Sequence, residues 1–536
     1  MTQNVDTPAV DELVQSQLFV RLQRYLKIKN TSALALVGCL GLVELLPLGI
    51  GNGFWPSVDM GRTLALATGF NLVVVLLYAL ISAVAPYSGS DYVFTSRVLH
   101  APLAFAAKFS SQLFLAAAAG AFAVLVAQAV LTPFLYYSSW VFQDPDLATI
   151  ATSLSQPQGA TIAGAIVVAL VFFFSTLTPK ANSRFILICV LLALLGWAAI
   201  FFQLFNANSA NFATNWDLVI GEGSYAGQMP AARALSLWFG VPPQWLVLAG
   251  IPLGFLLFWG VRLPNEVSGE VKSSASKSQL LGGWFAVLVC GGLAMGSTVM
   301  VSRVISADWL AAESQLLLYS NQLKTPAMPW LPFYAALLRP NFFLFTLSTL
   351  GALAGLMAAL QAFIRSFGRV WLAWTDDHML PKLVGYIHPG SQTPLFTTLF
   401  VAILAQMGVT LAANFGVMKV LGSVMFGLIC LQTFPALAAV LYPWAKRKWV
   451  KAGSANVRKA NAPLLVISGL LVLAYLILMI VTIYTYPSEG YIIGGADVII
   501  LLVTFAMGLG WFAWRSRAAR REGIDMARQY VDFPEE

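Results

Sequence analysis

The chain has 536 residues, of which 59% are hydrophobic and only 10% are charged. Soluble globular proteins carry about 25% charged residues, so this composition excludes an ordinary soluble domain and indicates a protein of the bilayer. The net charge of +8 raises the possibility of nucleic acid binding. However, the basic residues cluster beside apolar runs, as expected for contacts with anionic lipid headgroups. We therefore expect a lipid bilayer, and no nucleic acid, as the partner.

Twelve apolar runs follow one another along the chain, and each is long enough to cross a hydrocarbon layer of about 30 Å as a helix. We number them as spans 1 to 12, near residues 32–54, 62–85, 102–137, 159–178, 182–205, 240–263, 280–304, 341–367, 393–413, 417–442, 462–485 and 492–514. With both termini in the cytoplasm, most of the 31 Lys and Arg residues fall on the cytoplasmic side. The sequence predicts an all-α integral membrane protein of the cell (plasma) membrane with cytoplasmic N- and C-termini.

The spans offer no residues for enzyme chemistry. The three histidines, His100, His378 and His388, lie outside the apolar runs, and the four cysteines fall in four different runs. This distribution argues against a metal centre, a disulfide framework and an intramembrane hydrolase. The sequence contains no nucleotide-binding loop and no filter-like ring of charges, which disfavours a pump and a channel. We expect a transporter that is not an enzyme and needs no cofactor, metal or obligate protein partner.

Two spans contain residues that break helices, at matching places in two halves of the chain. Span 1 carries "VELLPLGIGNG" (residues 43–53), and span 6 carries "FLLFWGVRLPNE" (residues 255–266). Interrupted helices at matching positions are the best sequence indication of a substrate site at the membrane midplane. Each stretch also holds an ionisable residue, Glu44 and Arg262 respectively. Such a residue costs about 2.5–3.5 kcal/mol at a helix centre, so it is usually paired or functional.

Four further stretches lie at span ends and in the loops predicted to be cytoplasmic. They are "VAPYSGSDYVFTSR" (84–97), "PKANSR" (179–184), "SGEVK" (268–272) and "RVWLAWTDDHMLPK" (369–382). In this order and spacing they resemble motifs of the amino acid–polyamine–organocation (APC) transporter superfamily. The resemblance covers about residues 31–445 and leaves spans 11 and 12 without a matching motif.

The resemblance implies a leucine-transporter-like five-plus-five inverted repeat, with broken helices 1 and 6 and two peripheral helices. It also implies alternating-access transport of an amino acid or a related organic amine, sodium-independent, with protons as a candidate coupling ion or by exchange. A nucleobase-type or other small-solute permease of the same fold is the alternative. The expected parts are a cytoplasmic segment with an interfacial helix (1–30), the ten-helix core (31–445), a basic loop (446–460), spans 11 and 12 (461–515) and a cytoplasmic tail (516–536).

On this resemblance, the small-molecule substrate binds where spans 1 and 6 are broken. The candidate substrate-binding residues are Gly38, Gly41, Leu42, Val43, Glu44, Phe258, Trp259, Gly260 and Arg262. The superfamily's Gly-small-Gly triad should fall at residues 42–44, where this sequence has Leu-Val-Glu, so Glu44 favours a substrate that bears an amine. Glu44 and Arg262 either form a structural ion pair or contact a charged substrate, or Arg262 extends to the cytoplasmic face.

The resemblance also assigns roles to charged residues outside this site. Lys180, at the start of span 5, is expected to reach between spans 1 and 8, where sodium-coupled relatives hold a cation. An ammonium there would replace the metal, and a desolvated lysine can release and rebind a coupling proton. The alternative is a boundary lysine that follows the positive-inside bias. The candidate gating residues are Asp91, Arg97, Arg369 and Asp377, while Lys108 is expected to extend along its span to the membrane surface.

Overall fold

Long membrane-spanning helices make up most of the molecule. The computed structural model describes residues 24–45, 47, 51–56, 58–205, 207–236, 247–272, 274–317, 330–446, 461–485, 494–531 and 533. Ten helices among these residues are long and apolar enough to cross a membrane. They are spans 2 to 5 and 7 to 12, with the bounds Met60–Val84, Ala101–Phe142, Pro157–Ser175, Pro179–Phe205, Ala275–Ser302, Phe342–Asp376, Leu395–Phe415, Val417–Ala445, Ala462–Thr485 and Gly495–Arg521. The predicted all-α membrane fold is confirmed, and the inverted repeat stays a prediction.

Spans 1 and 6 are the two predicted spans that form no long helix among the described residues. Span 1 runs as a helix over Ile28–Val43 and resumes as a short helix over Asn52–Phe54. The described part of span 6 contains a helix over Ile251–Leu257, a 3-10 turn over Trp259–Arg262 and a helix over Leu263–Glu266. Both interruptions coincide with the proline- and glycine-containing stretches, because proline lacks the N–H that a continuous helix needs.

Spans 1 and 6 run antiparallel and touch through two glycines. At one end, Lys272 N–H donates to Leu26 C=O at 3.0 Å, just before span 1 and just after span 6. Further along, Gly38 meets Gly260 so closely that a Cβ on either glycine would collide with the other's backbone. We call the membrane side on which span 1 begins the inner side. Residue numbers therefore increase outward in span 1 and inward in span 6.

Short helices cover both ends of the spanning bundle. On the outer side lie Pro145–Ser155, Ser209–Ile220, Ser224–Ala234, Ala307–Gln315 and Leu331–Leu338, and on the inner side lie Ser90–Val98 and Met526–Gln529. Two 3-10 turns, Ser268–Glu270 and Lys382–Gly385, also lie on the inner side. The outer helices pack through buried aromatic rings, such as Trp216 and Trp309, whose centroids are 4.8 Å apart. The expected interfacial helix at 1–30 and the basic loop at 446–460 lie almost wholly outside the described residues.

The contact between the two glycines gives a direct test of the fold. In Gly260→Ala the new methyl group meets the Gly38 backbone, and overpacking of this kind costs about 1–3 kcal/mol. We expect a lower midpoint in thermal unfolding of the purified protein in detergent. Gly292→Ala in span 7 is the matched control, because nothing lies within 4 Å of its added Cβ. Equal unfolding temperatures for both variants would contradict the close approach of spans 1 and 6.

Candidate functional site

Glu44 lies where the helix of span 1 ends, and its side chain is buried. The residue is 3% exposed, and the Trp330 side chain hydrogen-bonds to its carboxylate. Its backbone C=O accepts from Leu331 N–H at 3.3 Å, at the start of an outer helix. The second carboxylate oxygen, Oε2, has no hydrogen-bond partner among the described residues. The break in span 1 therefore presents a buried acceptor that a cationic group can complete.

Arg262 lies in an aromatic enclosure in span 6. Its guanidinium carbon is 4.6 Å from the ring centre of Trp259, 4.7 Å from that of Phe255 and 5.7 Å from that of Tyr78. In a 3-10 turn, residues three apart share a face, which places Trp259 beside Arg262. The Nε and Nη1 atoms of Arg262 have no hydrogen-bond partner among the described residues. Arg262 is therefore held by cation–π contacts, on a side of span 6 that faces span 2.

Glu44 and Arg262 do not form the ion pair that was one of the alternatives from the sequence. Glu44 lies outward of the contact between Gly38 and Gly260, whereas Arg262 lies inward of it, because the two spans run antiparallel. No ion pair joins the two residues in the described part of the chain. The alternative in which Arg262 reaches the membrane surface is also wrong, since the residue is only 4% exposed. A contact with substrate stays a prediction for both residues.

The other candidate substrate-binding residues are packed against neighbouring helices. Gly41 lies against the backbone of Gly355 and Leu356 in span 8, so span 1 also approaches span 8 closely. The remaining candidates, Leu42, Val43, Phe258 and Trp259, are buried in the core. These residues lie next to the breaks in spans 1 and 6. Their role in substrate binding stays a prediction.

Lys180 occupies the first turn of span 5, and its side chain is exposed. Asn182, two residues further on, is buried and accepts a hydrogen bond from Gln361 of span 8. Ser183 and Ile186 line a crevice that spans 1 and 8 also border. Span 5 thus contributes Asn182, Ser183 and Ile186 to the space between spans 1 and 8, whereas the Lys180 side chain is exposed at the protein surface. Its coupling role stays a prediction.

A buried ion pair joins two of the four candidate gating residues on the inner side. Arg97 donates from Nη1 and Nη2 to the two carboxylate oxygens of Asp377, at 2.8 and 2.5 Å. Tyr92 also donates to Asp377, at 2.8 Å. The side chains of Arg97 and Asp377 are 3% and 5% exposed. This Asp377 group (Tyr92, Arg97 and Asp377) ties the helix Ser90–Val98 to the end of span 8.

Arg369, the third candidate, binds a carboxylate that the candidate set did not include. Arg369 and Arg365 of span 8 both donate to Glu270, at 2.5 and 2.7 Å, and Arg365 also donates to Tyr25. Burial alone raises the pKa of Glu270, but Arg369 and Arg365 outweigh it and lower the pKa to about 2. Stability from this lowered pKa is present above the ordinary carboxylate pKa and is lost progressively as pH falls from that value to about 2. We call Tyr25, Glu270, Arg365 and Arg369 the Glu270 group, and its carboxylate stays ionised at physiological pH.

Asp91, the fourth candidate, belongs to a separate cluster with one lysine. Lys108 donates to both carboxylate oxygens of Asp91, at 2.7 and 2.8 Å, and to Glu266. The side chains of Lys108, Asp91 and Glu266 are 10%, 7% and 12% exposed. The expectation that Lys108 extends to the membrane surface is wrong, because two carboxylates hold it inside the protein. We call these three residues the Lys108 group.

The segment after span 12, which contains Tyr530 and Val531, covers the Asp377 group. The Tyr530 ring lies 5.1 Å from the Arg97 guanidinium, and its hydroxyl is 3.3 Å from that of Tyr92. Phe512 of span 12 packs on Tyr530, with ring centres 5.9 Å apart. Lys446, at the end of span 10, donates to the backbone C=O of Val531. The helix Ser90–Val98 and spans 8, 10 and 12 are thus joined on the inner side.

Removal of one partner from the Glu270 group should destabilise the protein strongly. Glu270→Gln leaves Arg365 and Arg369 buried without a carboxylate, and breaking a buried pair in this way costs about 3–5 kcal/mol. Unfolding in denaturant, measured in detergent, checks this value. Asp59→Asn is the control, because the Arg62–Asp59 pair is exposed by 79% and 39% and such pairs contribute about 0–1 kcal/mol. Equal losses in the two variants would contradict the account of the Glu270 group.

A comparison with known families agrees with this arrangement of helices. A family model described as amino acid permease matches residues 62–510, from the start of span 2 into span 12. The matched range contains the three ion-pair groups except for Tyr25, and it begins after Glu44. A comparison with curated proteins finds no match. Because the family model covers well over half of the chain, this protein belongs to the amino acid permease family of the APC superfamily and is a multi-pass membrane transporter.

Proposed function

We propose that this permease moves amino acids or related organic amines across the cell membrane by alternating access, without sodium. The observation that carries the amine preference is Glu44 at the break in span 1, whose buried carboxylate has one oxygen without a partner among the described residues. A substrate ammonium would supply the missing donor through a charge-assisted hydrogen bond. A nucleobase could offer this oxygen only a neutral N–H, which makes a weaker hydrogen bond than an ammonium does, so we favour amines over the alternative.

The proposed path runs from the outer side to the inner side. Substrate would lodge between spans 1 and 6, next to Gly41, Glu44 and Gly260, beneath the outer helix that starts at Leu331. Release on the inner side, which we take as the cytoplasm, would require the Asp377 and Glu270 groups to separate. The double arginine contact of Glu270 supports a gating role for Arg369, as the double hydrogen bond of Asp377 does for Arg97.

Two basic residues have candidate roles in the transport cycle. The unpartnered nitrogens of Arg262 would suit a substrate carboxylate, provided that span 6 rotates toward the substrate. Lys180 is the candidate for replacing sodium and carrying a proton. Its exposed position at the start of span 5 fits the boundary role better, because the side chain does not lie between spans 1 and 8. We take the membrane as the cell membrane, with both termini cytoplasmic and no obligate protein partner.

Uptake into proteoliposomes tests the proposed function. Purified protein is supplied with labelled amino acids and polyamines under an inward proton gradient, an inward sodium gradient or no gradient. We expect uptake of an amine-bearing substrate that is indifferent to sodium. Sodium-driven uptake would contradict the proposal, as would a lack of uptake for every compound in the pool.

The role of Glu44 is tested in the same vesicles. A hydrogen bond to a charged group contributes about 1.5–3 kcal/mol, so Glu44→Gln should raise the KM for the amine by about 10- to 150-fold. Glu222→Gln, an exposed position in an outer loop, is the control and should leave the KM unchanged. An unchanged KM in Glu44→Gln would mean that the substrate amine binds elsewhere.

A further inference from the structure

The Lys108 group contains two carboxylates but only one ammonium. Lys108 has one positive charge, while Asp91 and Glu266 carry two negative charges when both are ionised. All three side chains are at most 12% exposed. A buried charge without compensation is unfavourable, and two carboxylates at one site resist ionising together. Binding of one proton would make the group neutral.

The hydrogen bonds indicate which carboxylate would take the proton. Asp91 accepts from Lys108 with both oxygens, at 2.7 and 2.8 Å. Glu266 accepts from Lys108 with Oε1 alone, and its buried Oε2 has no hydrogen-bond partner among the described residues. A proton on Oε2 therefore breaks no existing hydrogen bond. Asp91 lies close enough to accept a hydrogen bond from the protonated Glu266.

Among the described residues, Lys108 is the one basic residue that forms an ion pair with Glu266. Arg262 of span 6 lies against aromatic rings and forms no ion pair with Asp91 or Glu266 in the described part of the chain. Tyr78 of span 2 donates to Gln432. On the other elements that pack against the end of span 6, Arg365 and Arg369 bind Glu270, and Arg97 binds Asp377. Lys29 of span 1 and Lys277 of span 7 are exposed. The surplus negative charge therefore stays on Asp91 and Glu266.

The position of Glu266 links its protonation to the contact between span 6 and span 3. Glu266 ends span 6, four residues after Arg262, and its backbone C=O accepts from Gly89 N–H at 2.9 Å. Lys108 lies in span 3, about two turns from the start of that helix. The contact between Lys108 and Glu266 thus joins the broken span 6 to span 3. A proton on Glu266 would weaken this contact and leave the pair between Lys108 and Asp91 intact.

We propose that Glu266 binds the proton that is coupled to substrate transport, an inference that rests on the proposed transport function. The carboxylate takes up one proton to become a carboxylic acid and returns it unchanged, so the step needs no other reactant. With Glu266 neutral, span 6 separates from span 3 and the inner side opens. With Glu266 ionised, the ion pair to Lys108 holds span 6 in the closed position. The Glu270 group does not compete for the proton, because two arginines already outnumber its single carboxylate.

Proton-driven uptake in proteoliposomes compares Glu266→Gln with Lys180→Ala. Glutamine mimics the protonated acid and cannot release a proton. In Glu266→Gln, the stimulation of uptake by an inward proton gradient should therefore fall by about tenfold or more between about pH 5 and 8. Lys180→Ala should keep the stimulation. Full stimulation in Glu266→Gln would overturn the proposal, and so would its loss in Lys180→Ala alone.

A measurement without substrate separates this proposal from the proposed function. Infrared difference spectra of the purified protein between high and low pH report the carbonyl band of a protonated carboxylic acid. We expect a band that is present in wild type, absent in Glu266→Gln and restored in Glu266→Asp. The same band in wild type and Glu266→Gln would overturn the proton site. If the band behaves as expected but no amine is transported, the proton site stands and the proposed function fails.

Discussion

The close contact between Gly38 and Gly260 is the feature on which the rest of the structure depends. In a bilayer every backbone N–H and C=O needs a partner within the protein, so a broken helix is tolerated only when other helices surround it. Spans 1 and 6 meet this condition, because residues without side chains let their backbones touch near the breaks. The contact also fixes the levels of the two charged residues. Glu44 is held outward of it and Arg262 inward of it, so their charges do not cancel each other.

The ionic groups on the inner side have different compositions and therefore different properties. Two arginines surround the carboxylate of Glu270, and one arginine matches Asp377, so neither group has more carboxylates than cations. The Lys108 group has the opposite imbalance, with two carboxylates for one ammonium. Buried ion pairs contribute little net stability once desolvation is counted, so their separation in water is not prohibitive. Such pairs suit an interface that opens and closes.

The fold was largely predictable, because hydropathy and helix breakers act locally. Ten predicted spans are long helices, and the breaks in spans 1 and 6 lie in the proline- and glycine-containing stretches. The level of Arg262 relative to Glu44 was not predictable. It depends on where a 3-10 turn starts in span 6 and on which glycines touch, and neither is encoded in the spacing of residues along one span.

Side-chain partners across the fold were harder to predict than the residues themselves. Asp91, Arg97, Arg369 and Asp377 were identified from loop motifs, but Lys108 and Glu266 were not, because charged residues at span ends usually face water or headgroups. The exposed position of Lys180 and the packing of Tyr530 on Arg97 depend on contacts between residues far apart in the sequence. Glu270 lies in one of the motifs, and only the fold reveals that two arginines converge on it.

The central claim is that the break in span 1 binds the substrate amine through Glu44. An experimental structure of the protein with its transported substrate bound tests this claim most directly. We predict the substrate ammonium within hydrogen-bonding distance of the Glu44 carboxylate, between spans 1 and 6. A bound substrate whose amine makes no contact with Glu44, or one that lies outside the space between these spans, would contradict the account.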